Sequence, residues 1–492
     1  MTLDADAAYL ALRARDARFD GRLFVGVTST GVYCRPICRV RTPMQRNCRF
    51  FTSAAQAEAA AFRPCLKCRP EIAPGPGLPW TAMEASQTLA RQAALALEAD
   101  RPEEEAAPTV AAVAARLGIS DRHLRRIFVA EHGVGPLQYA LTRRLLLAKQ
   151  LLTDTRLPVA QVALTSGFRS LRRFNAAFAA SYRMQPARLR SVGAAAAGSV
   201  TDPAVCLTLG YRAPYDLPAL LRFFAQRAIP GIEAVDERTV RRSVRGGTLG
   251  AAAGWIEATF EPDADRVRLK FSPALAGSSA RIVTAARRWL DLDASPASID
   301  DALAGLPGAP GLRLPGALDG FELLVRAVLG QQVTVAAART LARRLVERFG
   351  EPVVTPWPAI DRTFPSPPTL AAAPVEAITG LGILRSRAAA LSAVARAWPE
   401  LAPLMRPGME PGAVIEGLCR LPGIGPWTAH YVAMRALGWP DAFPPGDVAV
   451  LKAMRQWLGT ASPREAGAQA AAWQPWRSYA VLRLWNSLGA ST

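Results

Sequence analysis

The chain has 492 residues, half of them hydrophobic and a fifth charged, with 59 Lys+Arg against 40 Asp+Glu and a formal net charge of +19. At roughly 100 to 200 residues per domain this length asks for three or four domains, and the composition excludes a wholly disordered or collagen-like chain. No uncharged apolar run reaches the ~18 residues of a membrane span, and the N-terminus MTLDADAAYLALRARD carries early acids and no apolar signal core, so the expected location is cytoplasmic, away from any membrane.

The charge is uneven. Residues 1–192 carry 28 basic against 15 acidic side chains, and residues 193–492 carry 31 against 25. An excess of this size points to a polyanionic partner, nucleic acid first. Lysine occurs only at Lys67, Lys149, Lys270 and Lys452, so arginine supplies nearly all of the positive charge.

Cysteine is concentrated at the start of the chain: Cys34, Cys38, Cys48, Cys65 and Cys68, with Cys206 and Cys419 isolated. Cys34 and Cys38 are separated by three residues and Cys65 and Cys68 by two, with 26 residues between the pairs. Two close thiol pairs on separate turns are what a tetrahedral Zn²⁺ site needs, and a cytoplasmic chain argues against disulfides. Cys48 does not fit the spacing. The stretch TSTGVYCRPICRVRTPMQRNCRFF, followed by FRPCLKCRP, closely resembles the N-terminal domain of the adaptive-response protein Ada over about residues 5–75. That resemblance implies a structural zinc held by Cys34, Cys38, Cys65 and Cys68, with Cys34 at the position that accepts a methyl group from a DNA methylphosphotriester. Arg35, Arg39, Arg41, Arg46 and Arg49 are expected to face the DNA backbone.

The stretches APGPGLP at Ala73–Pro79 and SVGAAAAGS at Ser191–Ser199 read as linkers. Between them the apolar spacing is helical, through Val113, Leu124, Ile127 and Phe128, then Leu141, Leu145 and Leu152, then Val162, Phe174 and Phe178. VAAVAARLGISDRHLRRIFVAEHG has the order of a helix-turn-helix, with Gly118 in the turn, Ser120 at the second cap, and His123, Arg125 and Arg126 set to reach a groove. A second copy follows, with Gly167 at the turn, Ser170 near the cap and then Arg172 and Arg173. From about Trp80 to Arg190 the segment resembles the AraC-type DNA-binding domain, including GF followed by F and the closing PARLR. The resemblance implies transcriptional regulation through promoter DNA, with RNA polymerase as a further partner of such an activator. A plain helical spacer with a solvated basic face is the bland alternative.

Beyond residue 204, VCLTL, WIEATF and VRLKF read as strands around a helical LPALLRFFAQRA, and after Asp319 helical periodicity returns on both sides of Gly330. GLPGAPGLRLPG at Gly305–Gly316 reads as an irregular connection. In LPGIGPWTAHYVAMRAL, Gly423 and Gly425 allow backbone N–H groups to approach a phosphate at a helix N-terminus. About twenty residues on, Asp447 follows Pro444, Pro445 and Gly446 and precedes a helical pattern. These stretches, with QPWRSYAVLRLWN, resemble the helix-hairpin-helix DNA glycosylases and specifically the AlkA family from about residue 204 to 492.

What that resemblance implies is a monofunctional excision of alkylated purines such as 3-methyladenine, with Asp447 catalytic and Trp427, Tyr431 and Trp485 in the base pocket. Aromatic faces suit an electron-poor, positively charged base. Trp427 occupies the position of the Schiff-base lysine of the lyase members, and Cys419 alone cannot hold an iron–sulfur cluster. The family inserts a leucine into the gap left by the flipped base; the matching residue here is Gln332. No PCHR motif follows the regulator, so an Ada-type O6-alkylguanine transferase is not expected.

The reading is a multidomain, mainly α chain: a small four-cysteine zinc α/β domain (1–75), an all-α tandem helix-turn-helix domain (76–192), a small α+β domain (204–285) and an all-α helix-hairpin-helix glycosylase domain (286–492). Its expected cofactor is Zn²⁺ and its expected partner double-stranded DNA, both alkylated and promoter DNA. Two alternatives stand beside it: an activator whose C-terminal half binds lesions without catalysis, and a glycosylase whose first 192 residues only target DNA.

Overall fold

A computed structural model describes residues 4–75, 85–98, 109–193, 204–406, 409–460 and 462–489. Most of the first linker, the second from residue 194 onward, and Trp80 lie outside the described residues. The first elements are α1 (Ala5–Ala14), β1 (Phe24–Val27), β2 (Val32–Cys34), β3 (Cys48–Phe51), α2 (Ala54–Ala59) and β4 (Arg63–Pro64). Helices α3 (Ala85–Glu98), α4 (Val110–Arg116), α5 (Asp121–His132), α6 (Pro136–Asp154), α7 (Val159–Thr165), α8 (Leu171–Tyr182) and α9 (Pro186–Gly193) follow. Then come β5 (Val205–Gly210), α10 (Leu217–Arg227), β6 (Glu233–Val235), β7 (Thr239–Val244), β8 (Gly254–Glu261) and β9 (Arg266–Phe271). The remainder is helical: α11 (Ser279–Trp289), α12 (Pro296–Ala302), α13 (Gly320–Leu329), α14 (Val335–Phe349), α15 (Pro367–Ala372), α16 (Val375–Thr379), α17 (Arg385–Leu401), α18 (Pro411–Cys419), α19 (Pro426–Ala436), α20 (Val448–Leu458), α21 (Pro463–Ala470) and α22 (Arg477–Gly489). No described helix is long and apolar enough to cross a membrane.

The described residues form two compact units: those up to Ala213 together with Glu261–Thr284, and Pro214–Phe260 together with those from Ala285 onward. In the first unit a four-stranded sheet runs in the order β3-β1-β2-β4, antiparallel except for the parallel β2/β4 pair. Alternation along β1 sends Val25 to a core with Leu12 and Leu23, and Phe24 to another with Tyr33, Phe51 and Phe62. Gly26 is required between them, because a Cβ there would lie 2.9 Å from the Phe51 ring.

The two helix-turn-helix pairs, α4/α5 and α7/α8, form where the spacing predicts them. Gly118 and Gly167 adopt φ of +70° and +80° at the turns, a region open to glycine without steric cost. Ser120 Oγ accepts the His123 N–H at 3.2 Å and Ser170 Oγ that of Arg173 at 3.5 Å, capping α5 and α8. Leu124, Ile127 and Phe128 bury one face of α5, and Phe174, Phe178 and Tyr182 one face of α8. Strands β5 and β9 also belong to this unit and pair antiparallel, Thr208 opposite Arg268.

The second unit pairs β6, β7 and β8 antiparallel and packs a large helical core through α13, α14, α17, α18 and α19. Strands β6 and β7 went unread in the sequence. The reason is Arg242, which is buried in β7 and breaks the apolar alternation by which a strand is recognised; ion pairs to Glu233 at 3.0 Å and Glu322 at 2.5 Å compensate its burial.

Candidate functional sites

The first site gathers Cys34 at the end of β2, Cys38 in the following turn, Cys65 just after β4 and Cys68 in the next turn. The Cys65 N–H donates to Tyr33 O at 2.9 Å, extending the β2/β4 pairing up to the ligands. All four sulfurs lie within 4.8 Å of one another; tetrahedral Zn–S bonds of about 2.3 Å require S···S separations of roughly 3.8 Å, so the set fits zinc. Backbone amides support it, with Arg35 N–H donating to Cys68 Sγ and Lys67 N–H to Cys65 Sγ, both at 3.4 Å. Cys34, Cys38 and Cys65 are buried and Cys68 half-buried. Cys48 stands apart on β3, its thiol directed to Met44 O at 3.4 Å.

One expectation for this site is corrected. Arg35 does not face DNA: it is 5% exposed, forms a buried ion pair with Asp20, and donates to Cys68 O at 3.1 Å. It braces the ligand loop from inside, whereas Arg39, Arg41, Arg46 and Arg49 are exposed. In the helix-turn-helix pairs Arg125, Arg126, Arg172 and Arg173 are likewise exposed. Arg125 pairs with Asp121 at 3.0 Å one turn earlier, and Arg126 contacts His123 Nδ1 at 3.0 Å.

The second site is assembled around Asp447, which is 7% exposed and caps α20, its Oδ1 accepting the Val450 N–H at 2.8 Å. Two indoles complete its coordination. Trp427 Nε1–H donates to Oδ2 at 2.8 Å and Trp485 Nε1–H to Oδ1 at 3.1 Å. The Trp427 face stacks on Tyr431, with centroids 5.3 Å apart and planes 8° from parallel, and Tyr431 lies 6.3 Å from Trp485. Asp447, Trp427, Tyr431 and Trp485 are therefore brought together. The arrangement presents an anchored carboxylate beside aromatic faces, the complement of a cation.

The hairpin between α18 and α19 carries Gly423, with φ +80° and no room for a Cβ, which would meet Ala390 Cβ at 2.8 Å. Gly425 caps α19 without a side chain, and both glycines are exposed. Gln332 sits exposed between α13 and α14 in the left-handed region, φ +54°. Its neighbour Gln331 fixes this turn to the hairpin, donating to Gly423 O at 2.9 Å and to Thr428 Oγ1 at 3.2 Å.

Two side chains escaped the sequence reading. Arg435, one helical turn beyond Tyr431, donates to its hydroxyl at 2.7 Å and to Pro315 O at 2.8 Å. Burial pushes the Tyr431 phenol up, but the guanidinium charges of Arg435 and Arg227 outweigh it and hold the hydroxyl below its ordinary value. The i,i+4 spacing of Tyr431 and Arg435 was the available signal. Gln331 was masked by its identity with the residue that follows it.

Comparison with known proteins finds four family matches along the chain: the metal binding domain of Ada over residues 7–71, a helix-turn-helix domain over 113–191, the AlkA N-terminal domain over 206–319, and the HhH-GPD superfamily of base excision DNA repair proteins over 325–478. The chain is 39% identical to the probable bifunctional transcriptional activator/DNA repair enzyme AlkA of Mycobacterium tuberculosis, across 99% of this chain and 97% of that protein. It is 36% identical to DNA-3-methyladenine glycosylase 2 of Escherichia coli, over 57% of this chain and 97% of the relative. The regulatory protein ada of Salmonella typhimurium is 38% identical over 27% of this chain and 34% of its own length. The chain belongs to the family of bifunctional transcriptional activator/DNA repair enzymes that place an Ada-type zinc domain and a helix-turn-helix DNA-binding segment ahead of a helix-hairpin-helix DNA glycosylase.

Proposed function

We propose that this protein excises alkylated purines such as 3-methyladenine from double-stranded DNA and separately records DNA methylphosphotriesters by a one-time methyl transfer to Cys34. The observation that carries the excision is the triple anchoring of Asp447 by Val450, Trp427 and Trp485. Three N–H donors anchor the carboxylate and fix its direction. A nucleotide flipped against Trp427, Tyr431 and Trp485 presents its C1′ to that anion. The C1′–N bond breaks with its electron pair leaving on the base, which becomes neutral. Asp447 stabilises the sugar cation, and water adds at C1′ and loses a proton. No lysine enters this route. Gln332 is proposed to occupy the gap left by the flipped base, Gly423 and Gly425 to bind backbone phosphate.

For the second chemistry, zinc held by Cys34, Cys38, Cys65 and Cys68 would keep the four sulfurs as thiolates at neutral pH. The Cys34 sulfur attacks the methyl carbon of the phosphotriester; the S–C bond forms, the C–O bond breaks, and the electron pair stays on oxygen, restoring an anionic phosphodiester. One formal negative charge leaves the sulfur cluster, so repulsion from DNA falls and binding tightens. Arg125, Arg126, Arg172 and Arg173 then hold promoter DNA, with RNA polymerase as the partner of the activated complex, in the cytoplasm. The division into segments 1–75, 76–192, 204–285 and 286–492 belongs to this reading. The test is promoter affinity before and after exposure to methylphosphotriester DNA, with mass-spectrometric mapping of the methyl group. Methylation at Cys34 with a gain in affinity is expected; methylation at Cys38, Cys65 or Cys68, or none, rejects the assignment.

A further inference from the structure

Strand β5 has β9 on one side and no described strand on the other, so it presents a free edge of N–H and C=O groups. Such edges must be covered or they recruit foreign strands. At Thr208 the cover is α6. Gln150 Nε2 donates to Thr208 O at 2.8 Å, and the Thr208 N–H donates to Asp154 Oδ2 at 3.1 Å. Gln150 and Asp154 stand one helical turn apart, so a single face of α6 satisfies both backbone groups of one residue as a neighbouring strand would.

The same face also grips the cysteine loop. Asp154 Oδ1 pairs with Arg69 at 2.6 Å, and Arg69 directly follows the ligand Cys68 in the left-handed conformation, φ +53°. One carboxylate thus joins the ligand loop and the strand. Next to Gln150 on α6, Lys149, only 1% exposed, pairs with the fully covered carboxylate of Glu71. Contact is close enough that a Cβ on Gly210, at the end of β5, would lie 2.5 Å from Ile72 O. Isolated buried ion pairs are costly, so a shared carboxylate with both oxygens used and a matched Lys–Glu pair mark a built junction rather than chance packing.

We propose that α6 couples the cysteine centre to β5, so that the state of the metal site is felt at the first strand of the segment matching the AlkA N-terminal domain. The regulator and that strand are then one cooperative body, and the coupling is reciprocal. It is tested on the full chain by hydrogen–deuterium exchange of residues 205–210, zinc-loaded and after chelation, and by the rate at which a chelator withdraws zinc. In the wild type, chelation is expected to raise exchange of β5 by about tenfold or more. Asp154→Asn with zinc bound is expected to raise β5 exchange and to speed zinc withdrawal by roughly fivefold, and Gln150→Leu, which touches only the strand, to do the same more weakly. Unchanged β5 exchange on chelation overturns the proposal. So does a Gln150→Leu protein with a loosened β5 and wild-type zinc withdrawal, a result that stands even if Asp154→Asn fails to fold.

Discussion

Cys34, Cys38, Cys65 and Cys68 lie on two neighbouring turns of one small sheet, where each pair is close in sequence and the parallel β2/β4 pairing brings the two pairs together, with all four sulfurs within 4.8 Å. Asp447 is built differently: its partners Trp427 and Trp485 are 20 and 38 residues away, on α19 and α22. The first site converges four identical atoms on one ion, and its spacing is its chemistry. The second converges unlike groups, in which the Trp427 indole supplies an edge to the carboxylate and a face to Tyr431. Damage should accordingly spread differently: loss of any thiol collapses the first site, whereas the second tolerates removal of an edge while the face survives.

The predictions run along that contrast. Asp447→Asn should lower purine release from alkylated duplex DNA by on the order of a thousandfold, about 4 kcal/mol, with duplex binding retained. Retained release would remove the carboxylate from the chemistry and favour another group in the pocket.

The next effect is on stability in the first unit. Burial pushes the Glu58 carboxyl up to about 8, against hydroxyl donors on Thr142, Tyr33 and Tyr182. A carboxyl held above its unfolded value stabilises fully only below that unfolded value, near 4.5, and the contribution is lost as pH rises through about 8. Wild-type stability should therefore fall by about 3 kcal/mol between pH 5 and pH 8, and Glu58→Gln should flatten that fall in thermal melts. A variant as pH-dependent as the wild type would place the titration elsewhere.

Trp485→Phe and Trp427→Phe each keep a ring and lose one N–H donor to Asp447. Each should lower kcat about tenfold with KM nearly unchanged, the cost of one hydrogen bond to a charged group. If KM rises instead and kcat holds, the edges do not matter and only the faces do. Smallest is the joint replacement Arg172→Ala and Arg173→Ala, which should weaken promoter binding and reduce the salt slope of log affinity by about two, one for each lost phosphate contact.

Much of this was legible in the chain, for identifiable reasons. Gly118, Ser120, Gly167 and Ser170 act through their immediate neighbours, and each cysteine pair is marked by its own short spacing, so local sequence suffices. Asp447 stood out because Pro444, Pro445 and Gly446 precede it and a helical pattern follows, and that place is the cap of α20. Arg35 was misread because its place among other arginines suggests a basic surface, while its direction is set by Asp20, 15 residues earlier. Arg242 hid β7 by putting a charge in a buried strand. Gln150 and Asp154 look like the solvent face of an amphipathic helix; only the fold shows that the face meets β5 and Arg69.

The most direct test of two separate chemistries on one chain is a single incubation with duplex DNA carrying isotopically methylated bases and methylphosphotriesters, in which label is counted as free base and as protein-bound methyl. The wild type is expected to yield both, Asp447→Asn only the protein-bound methyl, and Cys34→Ala only the free base. Free base released undiminished by Asp447→Asn, or protein-bound methyl acquired undiminished by Cys34→Ala, would contradict the account.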